Sequence, residues 1–182
     1  MKKQTSKMAE SVGEYIIKNG SKINCAAFGT ASCGVFCTGD DSKNVSIWAM
    51  HSQMPIKVLS GQNSEVSSII FSRDEKYAFA GTAGGSIHMW DLESQKIVVS
   101  LKEHRNACNC LAVPSSPSMA SLISGSQDTN VKVWDLRTGK SSHTFRAHEG
   151  AVNGVSFAPS GQWVGSGGDD GTVKVINNVS IS

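Results

Sequence analysis

Proline is scarce in this chain, with four in 182 residues. Glycine, at 18, is above its usual share, so the composition favours many tight turns over a disordered chain. No apolar run approaches the roughly 20 residues of a membrane-spanning helix, so no membrane partner is expected. The start, MKKQTSKMAESVG, is basic but is not followed by the apolar core of an export signal. The cytosol or nucleus is therefore the expected location, and the three Asn-x-Ser triplets at Asn19, Asn44 and Asn178 read as chance matches. Neither charge sign dominates: 17 Lys and Arg stand against 15 Asp and Glu, too even for a nucleic-acid partner. Lys2, Lys3 and Lys7 form the one basic cluster, read as a frayed terminus. The five cysteines (Cys25, Cys33, Cys37, Cys108, Cys110) are odd in number, with no second pair at zinc spacing. They are expected to be reduced, mostly buried thiols, with no metal and no cofactor. Helical periodicity of useful length is missing as well.

What the chain does have is clearest at residues 121–140, SLISGSQDTNVKVWDLRTGK. Leu122 and Ile123 lead into Ser124-Gly125-Ser126. Gln127 to Asn130 has turn chemistry, because Asp and Asn side chains hydrogen-bond their own backbone. Val131-Lys132-Val133-Trp134 alternates as a strand does, and Arg137-Thr138-Gly139-Lys140 turns the chain again.

The pattern recurs three more times. Strands are expected at 14–17, 23–28, 35–37 and 45–48, then at 56–59, 66–71, 77–80 and 86–90. The third unit places them at 97–99, 107–113, in the Leu122-Ile123 stretch and at 131–134, and the fourth at 143–145, 152–157, 163–164 and 172–176. Trp48 to Trp90 is 42 residues, Trp90 to Trp134 is 44, and Trp134 to Ile176 is 42. Units of about 40–45 residues with four strands and a Trp-Asp close resemble the blades of WD40 propellers. The expected fold is all-β, a four-bladed WD40 β-propeller fragment of four-stranded antiparallel sheets. Residues 1–12 read as a flexible segment, 13–176 as repeats (about 13–54, 55–96, 97–140 and 141–176) and 177–182 as a tail. WD40 rings usually have seven blades, so four imply an open arc. Its exposed end faces are expected to make the chain dimerise, aggregate or need a partner, with 14–17 as a stray strand on the first blade's side. Pairing of 14–17 beside 173–176 is the opposite outcome.

One constellation imitates an active site. His148, Ser166 and Asp170 lie in one repeat, like a Ser-His-Asp triad. The third repeat carries His104, Ser124 and Asp128 at matching positions. A catalytic site occurs once in a protein, whereas a network that staples blades occurs once per blade. The expectation is therefore a structural hydrogen-bond network, with Trp134 joined through Ser124, and no enzyme. The first repeat has Gly20 near the His position, with Asp41 or Ser42 near the Asp position. The second has Gln62 for His and Gly84 for Asp, and the fourth has Ile176 for Trp. Only the third repeat has the full set, so it should be the most rigid blade. Gly165-Ser166-Gly167-Gly168 is glycine-rich but opens no helix and lacks the Lys-Ser/Thr of a phosphate loop, so it reads as a blade turn.

NVSIWAM at 44–50, AGTAGGSIHMWDLESQKIV at 80–98, SGSQDTNVKVWDLR at 124–137 and FAPSGQWVGSGGDDGTVKV at 157–175 resemble the WD40 regulatory subunit of katanin. The resemblance implies a non-catalytic subunit that helps target a separate AAA ATPase to microtubules or tubulin. It also implies a cytoskeletal place in the cytoplasm, at a centrosome or spindle. The helical region that normally binds the ATPase is not among these residues, which puts ATPase binding in doubt. VKVWDLR also matches the Trp-Asp-x-Arg pattern of WD40 substrate receptors for cullin-type ubiquitin ligases, which would make Arg137 a contact with the ligase adaptor. The competing reading of Arg137 is a solvated turn arginine.

Overall fold

The structure is a computed structural model, and it describes residues 18–32, 34–115 and 120–177. The first blade comprises β1 (Ile23–Phe28), β2 (Val35–Asp40), β3 (Val45–Ala49) and β4 (Lys57–Leu59). The second comprises β5 (Val66–Phe71), β6 (Tyr77–Thr82), β7 (Ile87–Asp91) and β8 (Lys96–Leu101). The third comprises β9 (Cys108–Ala112), β10 (Ser121–Ser126), β11 (Asn130–Asp135) and β12 (Lys140–Arg146). β13 (Val152–Phe157), β14 (Trp163–Gly168) and β15 (Val173–Asn177) form the fourth. Each sheet is an antiparallel meander in chain order, three of them four-stranded and the last three-stranded among the described residues. The strand expected at 14–17 lies outside the described residues, and so do both outcomes proposed for it.

Period-2 alternation decides which side chain meets which blade. On the second strand of each sheet, Ala78, Leu122 and Val164 face the preceding blade, while Cys37, Phe79 and Ile123 face the following one. The three apolar clusters are interfaces of this kind: Cys37, Val45 and Ile47 pack with Val66, Phe71, Ala78 and Trp90. Phe79 and Ile87 pack with Cys108, Leu122 and Trp134. Ile123, Val131 and Val133 pack with Val152 and Val164. The core thus lies between sheets. The innermost strands follow one another, β1 against β5, β5 against β9, and β9 against β13. At the two ends the same positions are open: Phe28 is 67% exposed, and Val173 is 76% exposed. The four blades form an arc.

The second strands run two to four residues beyond the expected ends. Gly165-Ser166-Gly167-Gly168, expected as a blade turn, is strand, and Thr38-Gly39-Asp40, Gly81-Thr82 and Ser124-Gly125-Ser126 extend the second strands of the first three blades. In those three the glycine belongs there because of the neighbouring blade. A Cβ on Gly39 would run into Val66, one on Gly81 into Ser68 and Cys108, and one on Gly125 into Val152 and Cys110. Close approach of sheets, rather than a turn, is what requires glycine here.

Candidate functional site

The register aligns the tryptophans. Trp48 pairs with Phe36, Trp90 with Ala78 and Trp134 with Leu122, while Ile176 pairs with Val164 in the fourth blade. All three indoles are buried, at 1%, 3% and 0% exposure.

In the third blade the structure brings His104, Ser124, Asp128 and Trp134 together. His104 sits four residues before β9, Ser124 in the middle of β10, and Asp128 in the β10–β11 turn. His104 Nδ1 lies 2.8 Å from Asp128 Oδ2, and His104 Nε2 lies 2.7 Å from Ser124 Oγ. Trp134 Nε1 donates to Ser124 Oγ at 2.8 Å. These bonds fix the protons: an ionised Asp128 only accepts, so Nδ1 of His104 carries the hydrogen. Ser124 takes the indole hydrogen, so its own hydroxyl donates to Nε2. The backbone N–H groups of Arg105 and Asn130 also donate to Asp128, at 2.9 and 3.1 Å. Burial disfavours the Asp128 carboxylate, but the Arg105 N–H and His104 outweigh it and hold its pKa below the usual value. Burial also holds His104 below its ordinary pKa, against the pull of Asp128.

The fourth blade brings together His148, Ser166 and Asp170. His148 Nε2 is 2.9 Å from Ser166 Oγ, and Nδ1 is 3.0 Å from Asp170 Oδ1. The Glu149 N–H donates to Asp170, as do the N–H and hydroxyl of Thr172. These bonds, the one from Glu149 foremost, hold Asp170 well below the usual carboxylate range. No indole completes this set, since Ile176 stands at the tryptophan position.

The first blade keeps one piece of the arrangement: Trp48 Nε1 donates to Thr38 Oγ1 at 2.9 Å. Four residues before β1 stands Asn19, one place earlier than the Gly20 expected from the sequence, and it donates to Asp40 at 2.9 Å. The second blade keeps none of it. Ala80 occupies the serine position, and buried Trp90 Nε1 and both amide atoms of Gln62 have no hydrogen-bond partner among the described residues.

Chemically these sets are closed. Ser124 is fully buried, and His104, His148 and Ser166 are 6%, 3% and 3% exposed, so no substrate reaches either hydroxyl. Among the described residues, the thiols offer no alternative nucleophile. Burial pushes Cys25 and Cys110 up to about 11 and Cys108 up to about 12, so they stay protonated at neutral pH. Among the described residues, no three His, Cys, Asp or Glu side chains gather as metal ligands, and no helix is long and apolar enough to cross a membrane.

Two features were not legible in the sequence. Lys132, within the alternating strand Val131-Lys132-Val133-Trp134, is 7% exposed. It donates to Thr144 at 2.8 Å and Glu103 at 3.3 Å, and lies over the Trp134 ring. Glu103 also accepts from Ser141, which ties the outermost strand to the segment entering the blade. The second feature is a groove of about 290 Å³ between the second and third blades. Its floor is Phe79, Met89, Val113 and Leu136, and Arg73 and Arg137 stand among its lining residues. Arg137 is 82% exposed and, among the described residues, pairs with Asp135, two residues away. The alternation of Val-Lys-Val-Trp gave no hint of a buried lysine, and a groove between blades leaves no mark in one repeat.

The WD domain, G-beta repeat family matches residues 53–91, 95–135 and 139–177 of this chain. The groucho protein of Drosophila melanogaster is 29% identical over 76% of the chain and 19% of its own length. GID complex subunit 7 of Schizosaccharomyces pombe is 30% identical over 76% of the chain and 27% of its own length. A guanine nucleotide-binding protein subunit beta of Oryza sativa subsp. indica is 30% identical over 86% of the chain and 46% of its own length. The chain spans less than half the length of each of these relatives.

Proposed function

The chain belongs to the WD40 repeat family, and from that premise we propose that it is a non-catalytic scaffold that binds other proteins. The observation that carries this is the closure of both Ser-His-Asp sets. Each is buried, each recurs at the same place in its blade, and in the third the serine is spent on an indole N–H. Their role is to staple the segment entering a blade to its middle strands. Leaving one partner of such a set unpaired costs about 1–3 kcal/mol, which is reason enough for the residues to stand together.

Within that role, the motifs at 44–50, 80–98, 124–137 and 157–175 favour a targeting subunit of the katanin type, with microtubules and a katanin-type AAA ATPase as partners in the cytoplasm. Co-sedimentation of the purified chain with polymerised microtubules, together with capture of the ATPase on immobilised chain, tests this. Retention by either supports the reading, and retention by neither refutes it.

The exposure of Arg137 beside an apolar groove favours a second reading, contact with the adaptor of a cullin-type ubiquitin ligase through Trp134-Asp135-Leu136-Arg137. Adaptor capture that is lost in Arg137→Ala supports it. Failure of the unmodified chain to capture the adaptor removes it.

A further inference from the structure

A structural device in a repeat fold recurs from blade to blade, so a set of residues found in one blade alone has another reason. The third blade carries such a set on its rim. Lys132 pairs with Ser124 at the position where the other blades place Ser46, His88 and Lys174. Three residues before the inner strand stands Arg105, where the others have Gly20, Asn63 and Glu149. Arg146 pairs with Asn130 on the outer strand, at the place of Ser60 in the first blade and Lys102 in the second. Among the described residues, only the third blade has Lys or Arg at all three positions.

Its β10–β11 turn is an exception as well. The matching turns each hold a residue at positive φ: Lys43 at 67°, Gly85 at 84°, Thr129 at 70° and Gly171 at 72°. A β-branched residue is the costliest occupant of that region, and such strain gathers where function overrides stability.

Arg105, Thr129, Lys132 and Arg146 line one open cavity of about 460 Å³, together with Glu103 and Asp128. The third blade packs on the second at one face and on the fourth at the other, so this cavity lies within the arc and not at an end. It shares no lining residue with the groove beside Arg137.

Both carboxylates of the cavity are already engaged. Glu103 accepts from Ser141 and Lys132, and Asp128 accepts from His104 and from the N–H groups of Arg105 and Asn130. Lys132 donates to Glu103 and Thr144 and keeps a third N–H. Arg105 and Arg146 are exposed, and among the described residues neither guanidinium pairs with a carboxylate. Arg146 also borders Glu149 and Asp170 of the fourth blade without pairing with either.

We propose that this cavity binds a phosphate monoester, the phosphorylated serine or threonine side chain of a protein partner, with Arg105 and Arg146 clamping its oxygens and Lys132 behind them. Two unpaired guanidiniums match the charge of about −1.5 to −2 on such a group and present paired N–H donors to its three oxygens. A carboxylate, with one charge and two oxygens, leaves part of that donor set unused.

Amide NMR titration of the isotopically labelled chain at about 0.15 M salt tests this. The probes are inorganic phosphate and blocked Gly-X-Gly tripeptides in which X is phosphoserine, glutamate or serine. The phosphoserine tripeptide should bind in the millimolar range and shift the Arg105 and Thr129 amides, with the glutamate tripeptide about tenfold weaker and the serine tripeptide silent. Arg105→Gln and Arg146→Gln should each weaken phosphoserine binding about tenfold with an unchanged melting temperature, since both side chains are exposed. Lys96→Gln, on the outer strand of the second blade, should leave binding as it is. No phosphoserine binding in the millimolar range overturns the proposal, as does binding that survives the double arginine variant. Equal binding of the glutamate tripeptide, or binding of inorganic phosphate but not of the phosphoserine tripeptide, overturns it too.

Discussion

Trp134 donates its indole N–H to Ser124 across 2.8 Å with both side chains fully buried, and at the same position of the second blade Trp90 has only Ala80. The structure therefore holds a matched pair of blades, one with the acceptor and one without.

Ser124→Ala should lower stability by about 1–3 kcal/mol, because it leaves the Trp134 N–H and His104 Nε2 buried and unpaired. Ala80→Ser should raise stability by about 1 kcal/mol by giving the Trp90 N–H an acceptor. Urea unfolding of both variants checks this. Two changes of the same sign would contradict the account.

Much of this was legible in the sequence, and the misses have physical causes. β1, β5 and β13 agree with their expected ends because each begins on an aliphatic residue and closes on Phe, with turn residues outside. The expected strands stop short of Gly39, Gly81 and Gly125 because glycine's freedom is the usual reason for its presence, whereas here a neighbouring sheet excludes any side chain. The His-Ser-Asp sets could be placed by their recurrence. The orphaned Trp90 could not, since the lack of an acceptor at Ala80 emerges only once β6 and β7 are in register.

Acid should destabilise the fold in two stages. Burial holds His88 below its ordinary pKa, with Lys102 adding to the effect, and burial does the same to His104. The unfolded chain therefore takes up protons first as pH falls through about 6.5, and stability declines there. Asp128 and Asp170 are held below their ordinary values, so their contribution is present above about 4 and is lost as pH falls further. Urea midpoints measured across pH should show both declines, and His88→Gln should flatten the upper one. A midpoint that rises between about pH 7 and 5 would reverse the sign.

Arg137→Ala should leave stability within about 0.5 kcal/mol, since the side chain is exposed and, among the described residues, pairs with its neighbour Asp135. Any loss of partner capture in this variant then reports on the contact itself. Thermal melts run beside the capture experiment separate the two, and a large drop in melting temperature would contradict the exposed placement.

The claim that matters most is that the Ser-His-Asp sets hold blades together and perform no chemistry. Ser166→Ala tests it directly, with thermal unfolding and turnover of a broad ester and peptide panel measured on the same preparation. The account predicts a lower unfolding midpoint, because His148 Nε2 loses its 2.9 Å partner, and no turnover in either protein. Turnover in the unmodified chain that vanishes in Ser166→Ala while the midpoint stays in place would contradict it.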